Sequence, residues 1–326
     1  AGTLDPMNIV VLPFNAAADT EPALARQLSA FIAELARNHS EASINPLNFM
    51  GQIEQDGGPR AALINPSDGL NEFQMINSFF AQTHADQLVD GLLEETEAGA
   101  GTLTIRWFSN DQDEPIETLE YQYLPGGMFA TIRTAATEFL KRLDADLPEG
   151  FDKDEEMFGT ANADAFRNFL RGYDAAQYIE KAQGRVVTEF DVETPLNNLL
   201  EAVEQDSDWE GPYVTLIELT RLCIMFRVGN AEILEKALKK ATEVEADDAR
   251  GWFALGQLYG AVNDHESAVK SFEKASQLEP EEPQILSTLG QAQFALGMPA
   301  NAERTLKKAI EFEPSPKPSL DILANV

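Results

Sequence analysis

The chain has 326 residues, 44% of them hydrophobic, which allows two ordinary domains with packed cores and excludes wholesale disorder. It carries 55 aspartates and glutamates against 24 lysines and arginines, a formal charge of −31 shared by both halves. Such a surface repels phosphate backbones and anionic lipid, so nucleic acid is a poor partner; it reads first as that of a self-repelling protein and, on a sharper reading, as an acidic face for a basic partner. No run approaches the roughly 18 apolar residues of a spanning helix, so membrane insertion is not expected. Cys223 is the single cysteine, so neither an internal disulfide nor a cysteine-based metal cluster can form.

Residues 1–7 read as a tail or cloning remnant, because AGTLDP lacks the basic start and apolar stretch of a signal peptide. On that reading the protein is cytoplasmic; if Ala1 is a processed end, it is exported or periplasmic. NIVVLPF (8–14) is a short apolar run ending at proline, a buried strand. Leu24, Leu28, Phe31, Ile32 and Leu35 form a helical stripe, and ASINPLNF a second strand. Phe73, Ile76 and Phe80 mark the next helix. DQLVDGLLEE, TLTIRWFS and IETLEYQYL follow as strands, and Ile132, Ala136, Phe139, Leu140 and Leu143 close the domain with an amphipathic helix. The order β-α-β-α-β-β-β-α predicts a compact α/β (or α+β) sandwich over residues 8–147. VVLPF, ADQLVDGLL, GTLTIRWF and EPIETLEYQY resemble the TolB amino-terminal-like α/β domain. That domain precedes helical repeats in bacterial proteins associated with adenylate cyclases or transcription regulators. The resemblance implies a recognition or scaffold domain and no catalytic residues.

A linker is expected at 148–159, and from residue 160 the pattern is helical to the end. A shift of 34 residues lays Leu255 on Leu289, Gly256 on Gly290, Ala268 on Ala302, Phe272 on Leu306, Ala275 on Ala309 and Pro280 on Pro314. Trp252, Leu255, Gly256, Tyr259, Ala268, Phe272, Ala275 and Pro280 resemble the tetratricopeptide repeat (TPR), which implies an all-α solenoid of antiparallel helix pairs. The second clear repeat departs from the motif at Leu286 and Gln293. The pattern predicts about four pairs over 160–315. Two are degenerate, 249–282 and 283–316 are clear, and 316–326 is a cap or tail.

No catalytic constellation, metal site or cofactor motif is legible in the sequence. His39, His84 and His265 are isolated, and Cys223 lies in the apolar stretch RLCIMF. EAGAGT (97–102) leads into a strand, not a helix, and so reads as a turn; DQDEP (111–115) lacks the spacing of a calcium loop. The expected function is a non-catalytic scaffold that binds a polypeptide through the TPR groove, at Arg250, Phe253, Gln257, Gln291 and Phe294. Two alternatives stand beside it. One is a self-assembling protein that forms homo-oligomers, and the other a small-molecule-binding or enzymatic α/β domain with a TPR docking module.

Overall fold

The computed structural model describes residues 7–18, 20–47, 50–55, 58–63, 69–96, 99–112, 114–187, 190–312 and 323. The segment 1–6, and all but one residue of 316–326, lie outside the described residues. The chain divides into two compact units, Ala1–Tyr178 and Ile179–Val326.

The first unit is a mixed sheet with helices on both faces. In chain order it holds β1 (Asn8–Val11), β2 (Asn15–Ala16), α1 (Pro22–His39), β3 (Ser43–Pro46), β4 (Met50–Gln55), β5 (Gly58–Leu63) and α2 (Phe73–Thr83). Then come β6 (Gln87–Glu95), β7 (Gly101–Ser109), β8 (Glu117–Tyr123), α3 (Met128–Arg142), α4 (Asp154–Phe158) and the start of α5 (Ala163–Ala182). The main sheet runs β3-β1-β6-β7-β8, with β2 beside β6. β1 pairs in parallel with β3 and β6, and β6-β7-β8 is an antiparallel meander. Strand alternation sends neighbouring residues to opposite faces. Val10, Leu12, Leu88 and Phe108 thus meet Ile76 and Phe79 of α2, while Trp107 turns to Phe139 of α3 with ring centroids 4.5 Å apart.

The α/β architecture and the order of its larger elements follow the sequence reading. The sequence did not show the separate antiparallel hairpin β4–β5 or the two-residue β2. Phe166, Phe169, Leu170 and Tyr173, spaced i, i+3, i+4 and i+7, lie on α5, where the four-pair reading of 160–315 begins. Phe166 sits among the rings of Phe31, Phe129 and Phe158. Asp174 accepts hydrogen bonds from Arg26 and Gln27 of α1. This part of α5 therefore belongs to the core of the first unit, although the sequence counts it as the opening of a repeat.

The second unit is helical: α6 (Glu193–Gln205), α7 (Glu210–Phe226), α8 (Ala231–Val244), α9 (Ala249–Ala261), α10 (His265–Leu278), α11 (Pro283–Ala295) and α12 (Pro299–Phe312). Asn230, Asp248, Asp264 and Glu282 cap α8 to α11 by accepting a backbone N–H of the first turn. The turns inside the two clear pairs need a left-handed residue, supplied by Asn263 (φ 63°) and, 34 positions on, Gly297 (φ 82°). The helices cross at small residues. Ala268, Ala275, Ala302 and Ala309 are fully buried. A Cβ on Gly256 would stand 2.6 Å from the Phe272 ring, and one on Gly290 would stand 2.6 Å from Leu306. At the departures from the motif, Leu286 is buried in place of the tryptophan, and Gln293, in place of the tyrosine, is buried and accepts a 2.9 Å hydrogen bond from Thr305.

Candidate functional site

The first helices of the two clear pairs, α9 and α11, carry the five residues the sequence placed in the binding groove. Arg250 stands at the first turn of α9. Its guanidinium donates to both carboxylate oxygens of Asp248 and, at 2.6 Å, to Glu210 of α7, and it lies over the Tyr213 ring. Those carboxylates hold its pKa above the ordinary arginine value, the hydrogen bond to Asp248 contributing most. Its charge is thus met within the protein, and Arg250 ties α9 to α7.

Phe253 is half-buried in the seam between α9, α10 and α11. It packs on Ala268, Val269, Phe272 and Leu289, and its ring centroid is 5.5 Å from that of Phe272. Gln257, one turn on, is half-buried, and Gln291 is exposed on α11. Phe294 is 41% exposed. The five residues share the first helices but not a role: Phe253 is packing, Arg250 a tie between helices, and Phe294 the exposed aromatic.

Three features of these helices and their ends are absent from the sequence reading. α9 and α11 contain one charged residue between them, Arg250, in a chain that is 24% charged. Met225, Val262 and Leu296 stand exposed at the carboxyl ends of α7, α9 and α11. Asp208, Asp247 and Glu281 stand exposed just before the amino ends of the same helices. The 34-residue spacing of Val262 to Leu296, and of Asp247 to Glu281, was the available signal.

The first unit holds a buried polar cluster beneath the carboxyl end of β1. Asp90 is fully buried and receives Arg106 Nε at 2.9 Å, Arg106 Nη2 at 2.5 Å and Asn71 Nδ2 at 3.1 Å. Burial raises the Asp90 pKa against the opposing pull of Arg106. Asn15 donates to Asn71 and to the Gly69 carbonyl. The neighbouring Gly91 must lack a side chain, since a Cβ there would meet the Thr104 carbonyl at 2.6 Å and Phe14 at 2.8 Å. An open cleft of about 850 Å³ lies at the ends of β2, β6 and β8, lined by Thr20, Glu94, Glu95, Gln122, Tyr123 and Leu124 among others. Its wall is an internal network: Glu95 accepts from Tyr123 and pairs with Arg167 at 3.0 Å.

His84 caps α2 in a left-handed conformation and His265 opens α10. Among the described residues no group of three histidine, cysteine or acidic side chains is placed to hold a metal ion. Cys223 is buried, and burial pushes its thiol up to about 12. No helix of the described residues is long and apolar enough to cross a membrane.

The helix pairs with their small–large crossings are arranged like those of TPR solenoids. The TPR domain of cytochrome c-type biogenesis protein H matches residues 230–325, which is under a third of the chain. Among solved structures, a thermophilic TPR protein of Thermus thermophilus is 18% identical, over 61% of this chain and 89% of its own, with a TM-score of 0.35. YrrB, a TPR protein with an unusual peptide-binding site, is 15% identical over 59% and 89%, with a TM-score of 0.37. MamA from Desulfovibrio magneticus is 14% identical over 57% and 88%, with a TM-score of 0.35. At these scores the likenesses carry no argument. No curated protein matches the chain.

Proposed function

We propose that the protein is a non-catalytic scaffold that binds a polypeptide on the face of α7, α9 and α11, with Gln257, Gln291 and Phe294 in contact with it. The observation that carries this reading is the composition of that face. Two successive first helices leave amides, small side chains and one exposed phenylalanine outward, with a single charge that is already paired. Amide side chains can meet a peptide backbone, and an exposed aromatic is the residue type that anchors interfaces. Arg250 supports the face and Phe253 forms its floor. The α/β unit, on this reading, is an accessory recognition domain of the TolB amino-terminal type; its mixed sheet and element order agree with that assignment.

The test is a photo-crosslinking residue in place of Gln291 in the native cells. The captured polypeptide is then titrated against purified wild type and Phe294→Ala. Loss of about 2 kcal/mol in the variant is expected if Phe294 is an anchor. Equal affinity for both would place the binding surface elsewhere.

A further inference from the structure

The main sheet ends in β3 on one side and β8 on the other, and the two edges are built differently. β3 is four residues long and ends at Pro46, which has no N–H to offer a further strand. β8 is seven residues long, ETLEYQY, with no proline, glycine or lysine to blunt it. Among the described residues β8 pairs with β7 alone, and no other group hydrogen-bonds its backbone. Successive residues of the strand face opposite ways. Glu117 and Tyr121 turn to α3, where Arg142 donates to Glu117 and Tyr121 donates to Glu138. Leu119, between them, is half-buried. Thr118, Glu120 and Gln122 make the other face and are exposed. Glu120 is the one charged residue of these three. Its carboxylate accepts from Gln122 and, among the described residues, meets no cation.

We infer that the outer edge of β8 takes an extended, basic segment of another polypeptide as a further strand, with a lysine or arginine opposite Glu120 and apolar side chains beside Leu119 and Tyr121. Unpaired N–H and C=O groups along a strand are a template for one more strand, and main-chain bonds give such pairing its affinity. The side chains opposite each exposed position select the partner. A second copy of this chain fits poorly. Antiparallel pairing of β8 with β8 over its full length sets Glu117 against Tyr123 and Glu120 against Glu120, between chains of charge −31 each. A base opposite Glu120 removes that repulsion and supplies the cation that the carboxylate lacks. Alternation then fixes the neighbours of that base on the α3 side, beside the half-buried Leu119 and Tyr121. This edge belongs to the α/β unit, and the inference does not depend on the helical face proposed above.

The probe is a labelled peptide of about nine residues, alternating threonine and valine with a lysine at the central threonine position, its binding to the full chain read by fluorescence anisotropy. It should bind about tenfold tighter than its fully N-methylated form, which keeps the charge but cannot lie against a strand edge. It should also bind about fivefold tighter than the same peptide with a central glutamine. Hydrogen exchange should slow at alternate amides of residues 117–123 when the peptide is bound. Glu120→Lys, at an exposed position, should reverse the preference, so that a central-glutamate peptide binds tighter than the lysine peptide. Asp247→Asn with Glu281→Gln, in the helical unit, should leave binding unchanged. An equal loss there would mean bulk attraction to an acidic chain and would overturn the inference. Unslowed exchange in β8, or equal binding of the N-methylated peptide, would do the same. A peptide whose affinity falls in Phe294→Ala and not in Glu120→Lys sits on the helical face, which overturns strand addition and leaves the function proposed above standing. A dimer that the peptide dissociates would make a second copy the occupant and overturn the basic partner.

Discussion

A methyl group on Gly256 would stand 2.6 Å from two ring carbons of Phe272. The absence of a side chain on α9 is therefore what lets α10 approach. Gly256→Ala sets two effects against each other. Alanine favours a helix over glycine by about 1 kcal/mol, whereas forcing an extra methyl into a close-packed crossing costs roughly 1–3 kcal/mol. The contact is with a ring that is itself buried, so the second effect wins and the urea midpoint falls. A higher midpoint would mean that the crossing has room to relax.

Phe253 and Phe294 lie on the same kind of helix but should answer differently to alanine. Phe253 is packed among Phe272, Leu289 and their neighbours, so Phe253→Ala should lower stability by roughly 2–4 kcal/mol. Phe294 is largely in solvent, and Phe294→Ala should leave stability within about 0.5 kcal/mol. Chemical denaturation of the two variants decides this. Equal losses would show that Phe294 is also packing.

The Asp90–Arg106 pair predicts a non-additive result. Removing one partner strands a buried charge, so Asp90→Ala should cost about 3–5 kcal/mol. Replacing both, as Asp90→Leu with Arg106→Met, should recover most of that loss, since apolar groups of similar size need no partner. A double-mutant cycle in urea measures the coupling. Simple addition of the two single losses would contradict the pairing.

Much of the fold is visible in the sequence because two periods are strong there. The 34-residue repeat places Gly256, Ala268, Phe272 and their partners before any coordinate does, and the alternation of Leu103, Ile105 and Trp107 with Thr104 and Arg106 marks one buried face of β7. The hairpin β4–β5 escapes notice because GQIEQ and GPRAAL carry glycine, proline and few apolar residues, so no alternation marks them. The allegiance of α5 escapes for a different reason. It depends on Arg26 meeting Asp174, 148 positions away, and on Phe166 finding Phe31, and no local pattern encodes either. At the candidate site, helical spacing assigns the five residues to α9 and α11 but cannot tell a seam residue such as Phe253 from an exposed one such as Phe294. Only the neighbouring helix makes that difference.

Cys223 gives a prediction in pH. Its thiol, ordinarily near 9, is pushed up to about 12 by burial, so the folded state holds the proton where the unfolded chain has lost it. The contribution is fully present below about pH 9 and is lost as pH rises toward 12, with a slope near 1.4 kcal/mol per pH unit in that window. Cys223→Ala should flatten the alkaline fall in stability by that amount. A thiol reagent at pH 8 should label wild type only as fast as it opens; rapid labelling of the native protein would contradict the buried placement.

The central claim is that the face of α7, α9 and α11 holds a polypeptide. The most direct measurement is the affinity of the partner captured through position 291, taken for wild type and for Phe294→Ala, with a melt confirming that the variant is folded. The account predicts an unchanged melting curve and an affinity weakened by about 2 kcal/mol. Full affinity in a folded Phe294→Ala protein would contradict it.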